Sequence, residues 1–248
     1  MSFKGIATLN LKNDLPAIYS DFSVLDIQDE FVVISKAAGV DVHRDGDNPG
    51  IAEKVEQALN TGKLYLVHRL DKVTSGLMLL ARSAESCDAL ARLFREKQIQ
   101  KYYLALSDSK PGKKQGRIVG DMARSRRGSW KLLKSRENPA ITQFFSASVI
   151  PGIRAFLLKP HTGKTHQLRV AMKSLGAPVA GDHLYAGTDK ASQLDRVYLH
   201  AFCISFVLCN QNYRYSVLPD QGALFCSDEF RTAILPWQSP ERLDWPGK

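Results

Sequence analysis

The sequence reads His68-Arg69-Leu70-Asp71-Lys72-Val73-Thr74-Ser75-Gly76-Leu77 at the point that decides its fold and chemistry. Thr74, Ser75 and Gly76 are typical of a turn, and the apolar run at 77–80 predicts a buried strand. We therefore expect Asp71 on a loop that a rigid strand holds in place, where catalytic groups commonly lie. On this pattern alone, an aspartate in a turn is more often a local cap for backbone N–H groups.

The composition is that of a soluble globular protein with an excess of positive charge. The 248 residues are 44% hydrophobic and 24% charged, with a net charge of +9. This charge predicts a polyanionic partner, either nucleic acid or an anionic membrane surface. The four cysteines have no paired spacing, which favours a reduced, cytoplasmic setting. Residues 1–5 lack a signal-peptide core, and the longest apolar run, 197–209, is interrupted by His200 and too short to span a bilayer.

Strand-like and helix-like patterns alternate along the chain. They predict an α+β fold with a mixed, largely antiparallel central sheet flanked by helices and loops. The predicted strands are 32–34, 77–81, 101–107 and a hairpin of 141–150 with 153–159. The predicted helices are 51–59, a segment capped by Ser83, and a segment from Thr165 as N-cap to Gly176 as C-cap.

The strand predicted at 101–107 contains two adjacent tyrosines. Strand alternation places Tyr102 on the apolar face with the leucines and Tyr103 on the opposite face. Only Tyr103 is therefore available for a role outside the core.

Three segments together resemble one enzyme family. Residues 68–77, 101–105 and 162–169 read HRLDKVTSGL, KYYLA and TGKTHQLR. They are similar to the HRLD-x-x-TSGL, K-x-Y-x-A and TGR-THQLR motifs of the RluA-type pseudouridine synthases. Weaker matches at residues 33–43, 180–185 and 199–201 extend the resemblance to about residues 22–208. The chain departs from the family pattern at Ala37, Lys164 and Ala171, where the family has proline, arginine and histidine.

The resemblance implies an RNA pseudouridine synthase that acts on ribosomal or transfer RNA. Asp71 would be the catalytic aspartate, Arg169 its ionic partner, and Tyr103 would stack on uracil and help to remove a proton. A carboxylate suits attack on an anomeric carbon, but a ribosyl ester and a glycal route both remain open. The target base would be flipped out of its stack, and Arg69 would fill the space it leaves. The isomerisation requires no cofactor.

Residues 110–136 carry ten lysines or arginines and one acid, Asp121. A charge run is usually a solvated surface, but in an RNA enzyme a basic loop with Trp130 suits phosphate contacts and base stacking. The expected RNA contacts are Lys113, Lys114, Arg124, Arg126 and Arg127.

Two other functions remain open from the residues alone. A catalytically silent RNA-binding module would explain the charge, and a nucleoside or glycoside hydrolase would need a second carboxylate that the three motifs do not supply. His161 and His166 lack the spacing of a metal site, so no metal is predicted.

The resemblance also predicts the domain organisation. About 20 residues precede the first family-like strand, too few for a separate N-terminal RNA-binding module. We expect residues 1–248 to form a single catalytic domain, and the protein to be a monomer with RNA as its partner and no contact with membranes.

Overall fold

The computed structural model describes residues 19–247, which form two compact units. Unit one consists of residues 19–100 and 203–217, and unit two of residues 101–202 and 218–247. Residues 1–5, examined above for a signal peptide, lie outside the described residues. Within residues 19–247, no helix is both long and apolar enough to cross a membrane.

Unit one is built on antiparallel strands flanked by two helices. Strand β2 pairs with β1 and β4, and β3 also pairs with β4. Helix α1 ends at Asn60, whose left-handed conformation (φ 46°) terminates it, and α2 begins where the Ser83 hydroxyl accepts the N–H of Ser86. The elements are β1 (Phe22–Ile27), β2 (Phe31–Lys36), α1 (Ile51–Leu59), β3 (Tyr65–Leu66), β4 (Ser75–Ala81) and α2 (Ala84–Arg95).

Unit two contains an antiparallel sheet in the order β5-β10-β9-β6, a separate short hairpin and three helices. The elements are β5 (Gln100–Ser107), β6 (Gln115–Gly120), β7 (Met122–Arg124), β8 (Trp130–Leu132), β9 (Ala140–Ile150), β10 (Ile153–Pro160), α3 (Gln167–Ser174), α4 (Thr188–Ala191) and α5 (Asp228–Ile234). Strand β11 (Leu199–Leu208) gives its first four residues to unit two and its last six to unit one, where they pair with β12 (Gln211–Ser216).

The predicted α+β class, with a largely antiparallel sheet, is confirmed. Helix α1 has the predicted bounds, and β9 and β10 form the predicted hairpin, with Gly152 at φ 84° in its turn. Strand β5 is also confirmed: Tyr102 is fully buried, whereas Tyr103 is half-buried.

Three predicted boundaries were wrong. The N-cap of α3 is His166 rather than Thr165, because His166 adopts a left-handed conformation (φ 55°) that no sequence pattern indicates for a histidine. Gly176 (φ 73°) follows the C-cap, Leu175, by one residue. The turn predicted at 74–76 lies earlier, at 71–74, because Ser75 and Gly76 already belong to β4.

The C-terminal residues, which carry no recognisable motif, pack onto the sheet of unit two. The Trp245 ring lies 5.7 Å from that of Tyr102 and 4.9 Å from that of Phe145. Its Nε1 donates to the carbonyl of Pro240 at 2.8 Å, and the Gln143 amide donates to the carbonyl of Pro246 at 2.7 Å. The segment therefore covers the face of the sheet that buries Tyr102.

Substitution by alanine should lower the unfolding free energy by different amounts at Gly181 and at Gly152. Both have positive φ, but a Cβ at Gly181 would lie 1.9 Å from the Arg196 carbonyl oxygen, whereas a Cβ at Gly152 would meet nothing within 4 Å. Gly152→Ala should cost about 1 kcal/mol of unfolding free energy, from backbone strain alone. Gly181→Ala should cost more than about 2 kcal/mol, because strain and a backbone clash combine. Urea denaturation measures the unfolding free energy of both variants. Equal losses would contradict the close approach of Gly181 to the Arg196 carbonyl oxygen.

Candidate active site

Asp71 lies in unit one on the loop between β3 and β4, as expected. The Asp71 carbonyl accepts the N–H of Thr74 at 2.9 Å, which closes a tight turn immediately before β4. Leu70 before it and Thr74 after it are buried, at 5% and 3% exposure, while Asp71 itself is half-buried. The carboxylate therefore sits on a loop whose two ends are fixed in the core.

A buried lysine, Lys36, donates a hydrogen bond to this turn. Lys36, at the end of β2, is 1% exposed, and its Nζ donates to the carbonyls of Ala37, Val40 and Lys72 at 2.8, 2.9 and 3.2 Å. The carbonyl of Lys72 also accepts the N–H of Gly39 at 2.8 Å. Two independent donors thus fix the residue that directly follows Asp71.

The residues preceding Asp71 are held by β4 and α2. The Nε2 of His68 accepts the N–H of Leu79 at 3.0 Å, and its ring stacks on Phe94 with centroids 4.6 Å apart. Arg69, between the two anchored residues His68 and Leu70, is exposed. Its side chain is therefore on the surface of unit one.

Tyr103 lies in unit two on β5, opposite Leu158 of β10. Its neighbour Tyr102 is committed to the core, because its ring packs against Trp245 and lies 5.5 Å from the Nζ of Lys159. Burial lowers the pKa of both Lys101 and Lys159. Of the two tyrosines, Tyr103 is the one with exposed surface.

Arg169 is in the first turn of α3 and is 6% exposed. Its Nε and Nη2 donate to the two carboxylate oxygens of Asp182 at 2.7 and 2.9 Å, which forms a bidentate buried ion pair. The guanidinium also lies 5.0 Å from the ring centroid of Tyr185. The pairing of Arg169 with Asp71 that the resemblance implies stays a prediction.

The TGKTHQLR segment is pinned to β9 by Gln167. The amide oxygen of Gln167 accepts from the Thr162 hydroxyl at 2.7 Å and the Lys164 N–H at 3.1 Å, and its amide nitrogen donates to the carbonyl of Ile141 at 3.1 Å. Gln167 is 5% exposed. These bonds fix the loop that leads into α3, and hence the position of Arg169.

The basic segment presents its charges on the surface of unit two. The five residues singled out from the sequence, Lys113, Lys114, Arg124, Arg126 and Arg127, are exposed. Within the described part of the chain, none of the five forms an ion pair. Asp121 accepts the N–H groups of Glu137 and Asn138 at 3.0 and 2.9 Å, and hydrogen bonding, chiefly from Ser135, lowers its pKa. Asp121, the one acidic residue of this segment, therefore fixes the backbone at residues 137–138 by hydrogen bonds.

Sequence reasoning missed three residues that organise these sites: Lys36, Asp182 and Tyr185. The family-like stretch at 180–185 contains the last two. Lys36 lies in the family-like stretch at 33–43, but its bond to the carbonyl of Lys72 depends on a loop that is distant in sequence.

The histidines have structural partners. His161 Nε2 lies 2.6 Å from the Oε1 of Gln143, and His166 Nδ1 lies 2.9 Å from the Tyr185 hydroxyl. Among residues 19–247, no group of three or more histidine, cysteine, aspartate or glutamate side chains is arranged to hold a metal ion.

Comparison with known proteins identifies the family. Residues 30–174 match the model of the RNA pseudouridylate synthase family. This chain belongs to the RluA-type pseudouridine synthases. It is 53% identical, over 78% of its length and 85% of the relative's, to an uncharacterized RNA pseudouridine synthase of Haemophilus influenzae. It is 34% identical to ribosomal large subunit pseudouridine synthase C of Rickettsia bellii, over 70% of this chain and 60% of that protein.

A solved structure confirms the fold. Human RNA pseudouridylate synthase domain containing 1 superposes with a TM-score of 0.69 at 24% identity, over 84% of this chain and 86% of that one. The family match and the named relatives, rather than this fold likeness, show that the chain is a pseudouridine synthase, an isomerase.

The contacts of Lys36 predict that its loss weakens both the fold and the reaction. Lys36→Met leaves three carbonyls without this donor and should lower the unfolding free energy by about 3 kcal/mol. Displacement of the Asp71 turn should lower pseudouridine formation about tenfold or more in the folded variant.

Lys54→Met is the matched control, since it removes a partly exposed lysine that pairs with Asp21. It should cost at most about 1 kcal/mol and leave turnover intact. Urea denaturation and a turnover assay measure both variants; equal stability losses would show that the three carbonyl bonds of Lys36 add little.

Proposed function

We propose that this enzyme isomerises uridine in ribosomal or transfer RNA, with Asp71 as the catalytic aspartate and the target base flipped out of its stack. The observation that carries the proposal is the placement of Asp71 on a turn fixed by Lys36, Thr74 and buried Leu70. A catalytic carboxylate must be held rigidly at the reacting carbon, because small displacements cost large factors in rate. Relatives named as ribosomal large subunit pseudouridine synthases C and D support ribosomal RNA as the substrate to test first.

The reaction exchanges one bond to the ribose for another. The bond from C1′ to N1 of uracil breaks, the base turns, C5 joins C1′, and the proton lost from C5 is balanced by one gained at N1. Asp71 would either attack C1′ and later leave it, or take the proton from C2′ to give a glycal. Both routes need an ionised carboxylate, and neither needs an oxidant or an energy source.

The other two site residues have complementary roles in this proposal. Tyr103 would stack on the uracil and assist removal of the C5 proton through its hydroxyl. Arg169 would favour the charged form of Asp71 by supplying an opposite charge. The bidentate bond to Asp182 supports this role, because it fixes the guanidinium before substrate binds.

In this proposal, RNA would be bound by ionic contacts to its phosphates and by insertion of one side chain into its base stack. Lys113, Lys114, Arg124, Arg126 and Arg127 would contact phosphates, and exposed Arg69 would occupy the gap left by the flipped uridine. The substrate also supports a cytoplasmic location, where ribosomal and transfer RNAs are found. Pseudouridine mapping of total RNA from a strain that lacks the gene would identify the RNA and the uridine.

Substitution of Asp71 tests the proposed chemistry. Asp71→Asn keeps the shape of the side chain and removes its charge, so we expect RNA binding close to that of the parent and turnover below about one per cent of it. Asp45→Asn removes an exposed carboxylate from a neighbouring loop and should leave turnover unchanged. Pseudouridine formation on ribosomal RNA fragments and transfer RNA measures both. An Asp71→Asn enzyme with substantial turnover would refute the assignment.

Replacing the five basic residues tests RNA docking. Each phosphate contact adds about 0.7 to 0.9 to the slope of log affinity against log salt, so loss of three contacts should flatten it by roughly 2 units. Changing Lys113, Lys114, Arg124, Arg126 and Arg127 to glutamine should therefore weaken binding and its salt dependence. Turnover at saturating RNA should fall much less, because Asp71, Tyr103 and Arg169 remain.

The matched control removes the same net charge from unit one. It changes five exposed cations, Arg44, Lys63, Arg92, Arg95 and Lys97, to glutamine. This control should keep the parental slope if docking is local to the basic segment. Equal slopes in the two quintuple variants would indicate a general effect of charge and would contradict specific phosphate contacts.

A further inference from the structure

The hydroxyl of Tyr185 joins two parts of unit two that are far apart in the chain. It accepts the backbone N–H of Trp130, in the short hairpin, at 2.9 Å, and lies 2.9 Å from Nδ1 of His166, at the start of α3. A phenol can both accept and donate, and the direction of its bond with His166 depends on the tautomer of the imidazole. Tyr185 is 4% exposed, which makes both bonds costly to lose.

The ring of the same residue supports the arginine of the TGKTHQLR motif. The Arg169 guanidinium lies 5.0 Å from the Tyr185 centroid, and the His166 ring meets Tyr185 edge-on at 5.8 Å. Cations within about 6 Å of an aromatic centroid are attracted to it. Asp182 accepts hydrogen bonds from the nitrogens of the Arg169 guanidinium. The Tyr185 ring lies against the central carbon of the same guanidinium.

The hairpin needs such an anchor because it is small. Strands β7 and β8 pair over three residues each, and an isolated two-stranded hairpin is marginally stable in water. Trp130 stands opposite Arg124, whose guanidinium lies 5.7 Å from its ring, and exposed Arg126 and Arg127 occupy the turn. The bond from Trp130 to Tyr185 therefore holds the end of the hairpin that carries the arginines.

We propose that Tyr185 is a positioning residue that couples RNA docking on the β7–β8 hairpin to the placement of Arg169. The proposal rests on the proposed function of the hairpin arginines in RNA binding. The hydroxyl bonds to the hairpin and to His166, whereas the ring packs against the Arg169 guanidinium. Two substitutions can therefore separate the two effects.

Tyr185→Phe removes the hydroxyl and keeps the ring. In the free protein, the amide of Trp130 loses its acceptor, so its hydrogen exchange should become about fivefold faster. The KM for RNA should rise about fivefold because the arginines are less well positioned, while kcat stays within about twofold. Tyr185→Leu also removes the ring, and should lower kcat by about tenfold through displacement of Arg169.

Tyr215→Phe is the matched control. Its hydroxyl donates to Asp26 at 2.6 Å, within unit one, so this variant loses a phenolic hydrogen bond without touching the hairpin. It should leave the exchange of Trp130, the KM and kcat unchanged.

The outcomes separate this proposal from the proposed function. Unchanged Trp130 exchange in Tyr185→Phe would overturn the anchoring role, whether or not the parent enzyme makes pseudouridine. Faster exchange with an unchanged KM would overturn the coupling and leave the activity standing. A parent enzyme that forms no pseudouridine on ribosomal or transfer RNA would instead overturn the proposed substrate, while the exchange measurement would still decide the anchor.

Discussion

The buried ion pair between Arg169 and Asp182 is the constraint on which the site in unit two depends. Its side chains are 8% and 1% exposed, so neither charge can be left without the other. The pair ties the first turn of α3 to the turn at 181–185, where Gly181 allows the backbone to approach Arg196 and the N–H of Leu184 also bonds to Asp182. Gln167, Tyr185 and the left-handed His166 then add bonds around a position that the ion pair fixes.

A buried ion pair rarely adds net stability, because desolvation offsets most of the attraction. Its value here lies in orientation. The carboxylate engages Nε and Nη2 together, so the plane of the guanidinium is set in a way that a lysine could not reproduce. A guanidinium fixed in this way can offer its charge to a second anion without first losing conformational freedom.

Much of the local structure could be predicted because its signals are local. The bounds of α1 follow from its apolar spacing and from Asn60, the hairpin β9–β10 from Pro151-Gly152, and the opposite facing of Tyr102 and Tyr103 from strand alternation. The boundary errors are also local in origin. Ser75 and Gly76 have turn composition but are strand residues, since β4 is buried and pairs with β2, with Gly76 opposite Lys36, and pairing outweighs propensity.

The parts that could not be predicted are those made by distant residues. Asp182 was visible as a motif residue, but only the fold brings it to Arg169, and only the fold brings Tyr185 to the amide of Trp130. Lys36 shows the point most clearly. A lysine at the end of an apolar strand reads as a charge leaving the core, yet it is 1% exposed and bonded to three carbonyls. An ammonium group has three N–H donors, so it can give one to each carbonyl of Ala37, Val40 and Lys72, whereas a planar guanidinium would need the acceptors in one plane. The residue type is thus explained by the convergence of three backbone acceptors behind Asp71. A carbonyl cluster of this kind requires a compact cation, and the rigidity of the Asp71 turn is its consequence.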